Sequence, residues 1–218
     1  MRAISSIDDL LRDSASARIY AGVGKVMHIV TIAVVAGAFY GAVMGGFDAR
    51  PAQMVISATK VPLLLGVTFL ISLPSFFVFN TLFGLRAEFG TTLMSLLTAQ
   101  ATLLVTLASL APLTAVCYCS TNDYDFAILF NGGMFAVATV AGQISLRRAY
   151  RELIALDPRH RVMLAVWMIT YCFVGIQMGW VLRPFIGNPL EEPHFFREGA
   201  WSNAYVFVGR LVWNAVRG

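Results

Sequence analysis

The chain has 218 residues, of which 58% are hydrophobic and 13% charged, with a formal net charge of +4 from 16 basic and 12 acidic side chains. Soluble proteins average about 25% charged residues, so this composition argues against a soluble domain and for a single membrane-embedded unit. The basic residues lie between apolar blocks rather than in one patch, which ties them to orientation against anionic lipid and not to a nucleic-acid partner.

Residues 1–25 form an N-terminal segment before the first apolar block. Ser6 is placed to cap a short helix carrying Ile7, Leu10 and Leu11 on one face. Ala36-Gly37-Ala38 resembles a cleavage site, but the long lead-in with Asp8, Asp9 and Asp13 argues against a signal peptide. Five stretches then lack Asp, Glu, Lys and Arg: Val26–Phe47, Val61–Leu85, Thr92–Cys119, Phe126–Leu146 and Val162–Leu182. Each reaches the roughly 20 residues that a helix needs to cross hydrocarbon. Lipid offers no partner to backbone N–H and C=O groups, so these stretches must be helices. The expected fold is all-α, a polytopic transmembrane bundle of five spans over residues 26–182.

Residues 183–218 are expected outside the membrane, as a loop followed by an interfacial helix. Pro184, Pro189 and Pro193 interrupt any helix there. Ser202 is the expected cap of an amphipathic helix reaching Val216. Its apolar stripe holds Ala204, Val208, Leu211, Val212 and Ala215, with Asn203, Arg210, Asn214 and Arg217 opposite and Phe207 the exception among them. Trp201 and Trp213 suit an interface. A helix packed on a partner protein would show the same periodicity.

Basic residues set the orientation. Arg2, Arg12, Arg18, Lys25, Arg86, Arg147, Arg148, Arg151, Arg159 and Arg161 fall on one side, against Arg50, Lys60, Arg183, Arg197, Arg210 and Arg217 on the other. The denser set belongs in the cytoplasm. The N-terminus is therefore expected inside and the C-terminus outside, and the absence of any Asn-x-Ser/Thr sequon favours a bacterial inner membrane.

Ionisable residues within a span would flag function, because charge in lipid is costly, and the five stretches hold essentially none. His28, beside Lys25, reads as an interfacial histidine, with a proton or cofactor role as the alternative. His160 is expected in a solvated loop between Arg159 and Arg161, and His194 outside. No carboxylate or cluster of ligands accompanies them, which argues against a proton-coupled pump and an intramembrane metalloprotease. No phosphate-binding loop or G-x-S-x-G elbow is present. No catalytic, metal or cofactor site is expected. Cys117 and Cys119 would point about 200° apart on a helix, so they could share a soft metal only at a non-helical end, and Cys172 lies in another span. Three cysteines make no disulfide framework. The nine methionines are scattered, as packing residues are.

Asn80, Gln100, Gln143 and Gln177 are the amides within spans. They can pair across helices, or line a hydrophilic path for a small solute. Pro74 and Pro112 can kink their helices. Small residues at i, i+4 make the clearest pattern: Ala33, Gly37, Gly41 and Gly45 in span one, Ala138 and Gly142 in span four, Gly175 and Gly179 in span five. Such stripes let backbones approach closely, either within the chain or between subunits.

The stretch Asn80-Thr-Leu-Phe-Gly84-Leu-Arg86-Ala-Glu-Phe89, followed by Thr92-Leu93 and a long apolar helix reaching Ala111-Pro112, resembles the Yip1-type fold. In that fold a span, a short glycine-bearing cytoplasmic turn and a phenylalanine lead into a span that closes on proline. The resemblance runs over roughly residues 60–182, while the family's acidic and aromatic motifs ahead of the first span have no counterpart here. The ending Trp180-Val-Leu-Arg183-Pro184-Phe-Ile-Gly187 is similar to one found in bacterial membrane proteins. The resemblance implies membrane organisation or partner binding without catalytic residues. The expected role is a structural or assembly subunit contacting lipids and other membrane subunits or a second copy, through Gly37, Gly41, Gly45, Gly175, Gly179, Trp201, Val208 and Val212. The alternatives are a small-solute or ion transporter built on the four amides, and an integral membrane enzyme.

Overall fold

The computed structural model describes residues 23–187, 192–197, 200–206 and 213. The expected N-terminal helix with Ile7, Leu10 and Leu11, and most of the C-terminal helix, including Val208 and Val212, lie outside the described residues. Five helices run α1 Val23–Met44, α2 Pro51–Leu82, α3 Phe89–Ser120, α4 Tyr124–Leu156 and α5 Arg159–Leu182. All five are long and apolar enough to cross a membrane, and together they are the build of an integral membrane protein. Large apolar side chains such as Val35, Leu70, Leu82, Leu129 and Ile169 are exposed around the outside. Water would penalise such a surface, and hydrocarbon does not.

The helices are longer than the uncharged stretches. α2, α3 and α4 have 32, 32 and 33 residues, or about 48–50 Å at 1.5 Å per residue, against about 30 Å of hydrocarbon. The expectation that Val61 opens the second span is corrected: α2 begins at Pro51, a residue suited to a first helical turn because it has no N–H to satisfy there. α4 likewise continues past Leu146 to Leu156, carrying Arg147, Arg148 and Arg151 on its last turns. The connection to α5 shrinks to Asp157 and Pro158, and Asp157 Oδ1 accepts from the Arg159 N–H at 2.8 Å. His160 is therefore not in a solvated loop. It is fully buried in the first turn of α5, 6.4 Å from the Tyr150 ring.

Two core clusters fill the bundle. One joins α1, α2, α3 and α4 through Tyr40, Met44, Val61, Leu104, Leu107 and Ala138. The other joins α2, α3, α4 and α5 through Phe69, Phe76, Leu96, Leu146, Tyr150 and Trp167. Around the bundle the main neighbours run α2, α1, α3, α4, while α5 lies against α2 and closes more lightly on α4. α2 and α3 are consecutive yet meet mainly at their connecting turn. That turn is built by Gly84, whose φ of 76° only glycine adopts without strain. Leu85 N donates to Asn80 O at 2.8 Å and Gly84 N to Thr81 O at 3.1 Å, the paired closure of a left-handed helix cap. Arg159 Nη1 then ties the turn to α5 through Phe83 O at 3.0 Å.

The glycine seam of α1 is filled from within the chain. A Cβ on Gly41 would stand 2.8 Å from the Ser57 carbonyl carbon and 2.9 Å from Ala58 Cα. On Gly45 it would meet Gln53 O and Ser57 Oγ at 2.7 Å, and on Gly37 a Leu104 methyl at 2.9 Å. Gly142 approaches Ala99 O of α3 in the same manner, at 3.2 Å. Gly175 is looser, 3.5 Å from a Thr68 methyl, and Gly179 faces open space.

Candidate functional site

One end of the bundle carries the α1–α2 and α3–α4 connections, and there the chain after α5 folds back onto the helices. Gln53, Ser57 and Lys60 lie at i, i+4 and i+7 of α2, one stripe of a helix, and all three are buried. Each faces a carbonyl of the returning segment. Gln53 Nε2 donates to Phe185 O at 3.1 Å, the Ser57 hydroxyl donates to the same oxygen, and Lys60 Nζ reaches Pro184 O at 2.7 Å and His194 O at 3.3 Å. The Phe195 ring lies 5.3 Å from the ammonium. Tyr124 donates to Ile186 O at 2.9 Å. Gly187 packs flat on Gln53, where a Cβ would meet its side chain at 2.7 Å.

Lys60 therefore corrects the expectation of essentially no ionisable residue within a span. It sits in the tenth position of α2 instead of a connecting loop, and its burial is tolerated because backbone carbonyls replace its water. Those acceptors lie 124 and 134 residues further along the chain.

Beside this cap opens a cavity of about 640 Å³, lined by Met44, Leu64, Tyr124, Ile128, Asn131, Gly132, Phe135, Pro184, Phe185, Ile186, Arg183 and Arg197. Both guanidinium groups lie over the Trp180 indole, at 3.3 and 4.7 Å from its centre, a geometry that attracts cations to the ring. Arg183 Nε and Arg197 Nε and Nη2 are buried without an acceptor among the described residues. Burial, and secondarily the Arg197 charge, push the Arg183 guanidinium below its ordinary value. Arg50, at the same end, is paired with Asp48 at 3.2 Å.

Deeper in the bundle, polar groups close on one another across helices. Tyr40 donates to Asn131 Oδ1 at 2.9 Å, Asn131 Nδ2 donates to the Tyr118 oxygen at 2.7 Å, and Tyr118 donates to Met44 O at 2.9 Å. This chain ties α1, α3 and α4 together. Replacing Asn131 with leucine keeps the branched outline but leaves the buried Tyr40 hydroxyl without this acceptor. We expect a loss of about 1–3 kcal/mol, read as a lower melting temperature in detergent, with Tyr40→Phe plus Asn131→Leu recovering part of it.

Of the four amides singled out in the sequence, the structure brings Gln100 and Gln143 to one small cavity with Tyr171, Leu103 and Trp167. Its roughly 30 Å³ holds two or three waters at most, since one water needs about 10–15 Å³. Tyr171 donates to Gln100 Oε1 at 2.7 Å, while Gln100 Nε2 and Gln143 Oε1 are buried without partners among the described residues. Asn80 is at the opposite end from the cap and donates to Phe76 O of its own helix at 2.9 Å. Gln177 is spent on the C-terminal segment: Nε2 donates to Ser202 O at 3.2 Å and Oε1 accepts from Ala204 N at 3.0 Å.

The cap of the C-terminal helix is also corrected. Trp180 Nε1 donates to Ser202 Oγ at 2.9 Å, which occupies the expected cap. Asn203 Oδ1 accepts from Tyr205 N at 2.9 Å and Val206 N at 3.4 Å instead, and residues 204–206 are helical. Trp201 is 80% exposed beside Phe196. His28 is exposed on α1, and Cys117 is buried while Cys119 is exposed. Sequence reading missed Lys60, Asn131 and the Arg183–Trp180–Arg197 group as a site. The one signal for that group was Trp180 three residues before Arg183 in a proline-rich ending. No protein-family model, curated protein or solved structure matches the chain.

Proposed function

We infer that this integral membrane protein is a structural or assembly subunit that works by helix packing and partner binding, without catalysis. The reading places it in a bacterial inner membrane with the N-terminus cytoplasmic and the C-terminus extracytoplasmic, because the helix ends carrying Arg147, Arg148, Arg151, Arg159 and Arg161 hold the densest positive charge. The observation that carries it is a set of buried polar side chains bonded across three helices. Asn131, Tyr40 and Tyr118 satisfy one another, and serine and threonine hydroxyls such as Thr98, Thr102 and Ser72 bond the carbonyl four residues back. The first set, bonded between helices, fixes those helices against each other, and the second spends its hydroxyls within its own helix. The resemblance to Yip1-like proteins over residues 60–182 supports the same role, since it implies membrane organisation or partner binding. The partners are lipids and other membrane subunits or a second copy, met through the exposed Trp201 end and the lipid-facing helices.

Transport is the second reading, favoured by the unpartnered amides at the Gln100–Gln143 cavity. The test is the native mass of the tagged chain after gentle detergent extraction, alongside flux in liposomes. A fixed stoichiometric assembly with no solute flux supports the subunit role. A monomer that conducts solute, with flux lost in Gln100→Leu, overturns it in favour of transport.

A further inference from the structure

We propose that the cavity beside the cap binds an anionic amphiphile, a phosphate or carboxylate headgroup bearing an acyl chain, with Arg183 and Arg197 taking the headgroup and the wall of α4 taking the chain. The site is additional to the subunit role and does not depend on it.

The charge argument comes first. Of the described basic side chains at this end, Lys60 is satisfied by carbonyls and Arg50 by Asp48. Arg183 and Arg197 line the cavity together, with buried N–H groups that have no acceptor among the described residues. Guanidinium is a planar fork of donors suited to phosphate and carboxylate oxygens, and Trp180 holds both forks in place. Two like charges beside each other in a partly desolvated mouth are each destabilised by the other, and one anion relieves both.

The shape argument is independent of charge. Along α4 the cavity touches Tyr124, Ile128, Gly132 and Phe135, about 16 Å of helix. The two guanidinium groups line the cavity beside the cap, and Leu64, Ile128 and Phe135 make its wall apolar apart from Asn131, whose amide is already bonded to Tyr40 and Tyr118. Gly132 contributes width, because a Cβ there meets nothing within 4 Å. Its volume lies within the about 300–1,000 Å³ typical of small-molecule sites. A soluble anion would use the mouth and leave the apolar wall unused. A neutral lipid would fill the wall and leave both guanidinium groups without an anionic partner among the described residues.

The test uses the full chain, delipidated in a mild neutral detergent and given equimolar phosphatidylglycerol and phosphatidylcholine, with retained lipid read by native mass spectrometry. We expect one tightly held anionic lipid, preferred by about tenfold or more, as charge-assisted bonds to the headgroup imply. Arg197→Gln should abolish most of that preference. Gly132→Leu should reduce retention of both lipids by filling open space, with the melting temperature kept. Should Arg183→Gln lose its fold along with its stacking on Trp180, the other two variants still decide the matter. Equal retention of both lipids, or wild-type retention by both Arg197→Gln and Gly132→Leu, overturns the proposal. Inorganic phosphate is the third arm: competition as strong as that of the lipid overturns the amphiphile in favour of a soluble anion.

Discussion

Gly41→Leu is expected to destroy the bundle. The α1 and α2 backbones meet where even a methyl group at residue 41 would stand 2.8–2.9 Å from main-chain atoms of Ser57 and Ala58. Main chain cannot rotate away as a side chain can, so α1 must lift off α2. Overpacking a fitted core costs about 1–3 kcal/mol and occasionally more, and a leucine against backbone belongs at the upper end or beyond. The tear would also pull Tyr40 from Asn131, one residue away on α1. Thermal unfolding in detergent should show a drop of many degrees, or no folded protein. Gly179→Ala provides the contrast: its Cβ meets nothing within 4 Å, so the gain of about 1 kcal/mol in helix propensity stands unopposed. Equal stability of Gly41→Leu and wild type would mean that α1 does not lie on α2 as described.

Lys60→Glu is expected to release the returning segment. The substitution replaces a donor to Pro184 O and His194 O with an acceptor carrying negative charge. Each carbonyl left unsatisfied costs about 1–3 kcal/mol, and the new carboxylate is buried without a partner at further expense. The cheapest escape is for residues 183–187 and 192–197 to come away, exposing the Gln53–Ser57 stripe. Hydrogen exchange over residues 183–187 and 192–197 should rise strongly while α3 and α4 keep their protection. Lys60→Gln retains a donor and should show a smaller change. Unaltered exchange in Lys60→Glu would show that the lysine does not hold the cap.

Residues 41 and 60 differ in how far the sequence alone makes them legible. The five spans were legible, because hydrocarbon imposes a length and an absence of charge that few other constraints produce. Their ends were not, because the helices outrun the lipid: Arg147, Arg148 and Arg151 mark where hydrocarbon stops, while α4 continues to Leu156. The same criterion put Lys60 in a loop, since its acceptors come from beyond α5 and no local pattern announces them. The Gly37–Gly41–Gly45 spacing gave a close contact without its partner. Whether that groove took α2 or a second subunit depended on where Ser57 and Pro62 would fall once α2 was extended backwards. Asn131 looked like a helix residue of no special kind until Tyr40 and Tyr118 converged on it from two other helices.

An odd number of crossings puts the two chain termini on opposite sides of the membrane and requires α5 to cross it, and this is the claim on which the rest depends. Single cysteines at residue 148, exposed on the last turns of α4, and residue 201, exposed beyond α5, probe the two ends. Both belong in a background where Cys117, Cys119 and Cys172 are replaced by serine or alanine. A membrane-impermeant maleimide applied to sealed vesicles should label one of the two positions and reach the other only after the vesicles are opened. Labelling of both from the same side in sealed vesicles would contradict a five-span bundle.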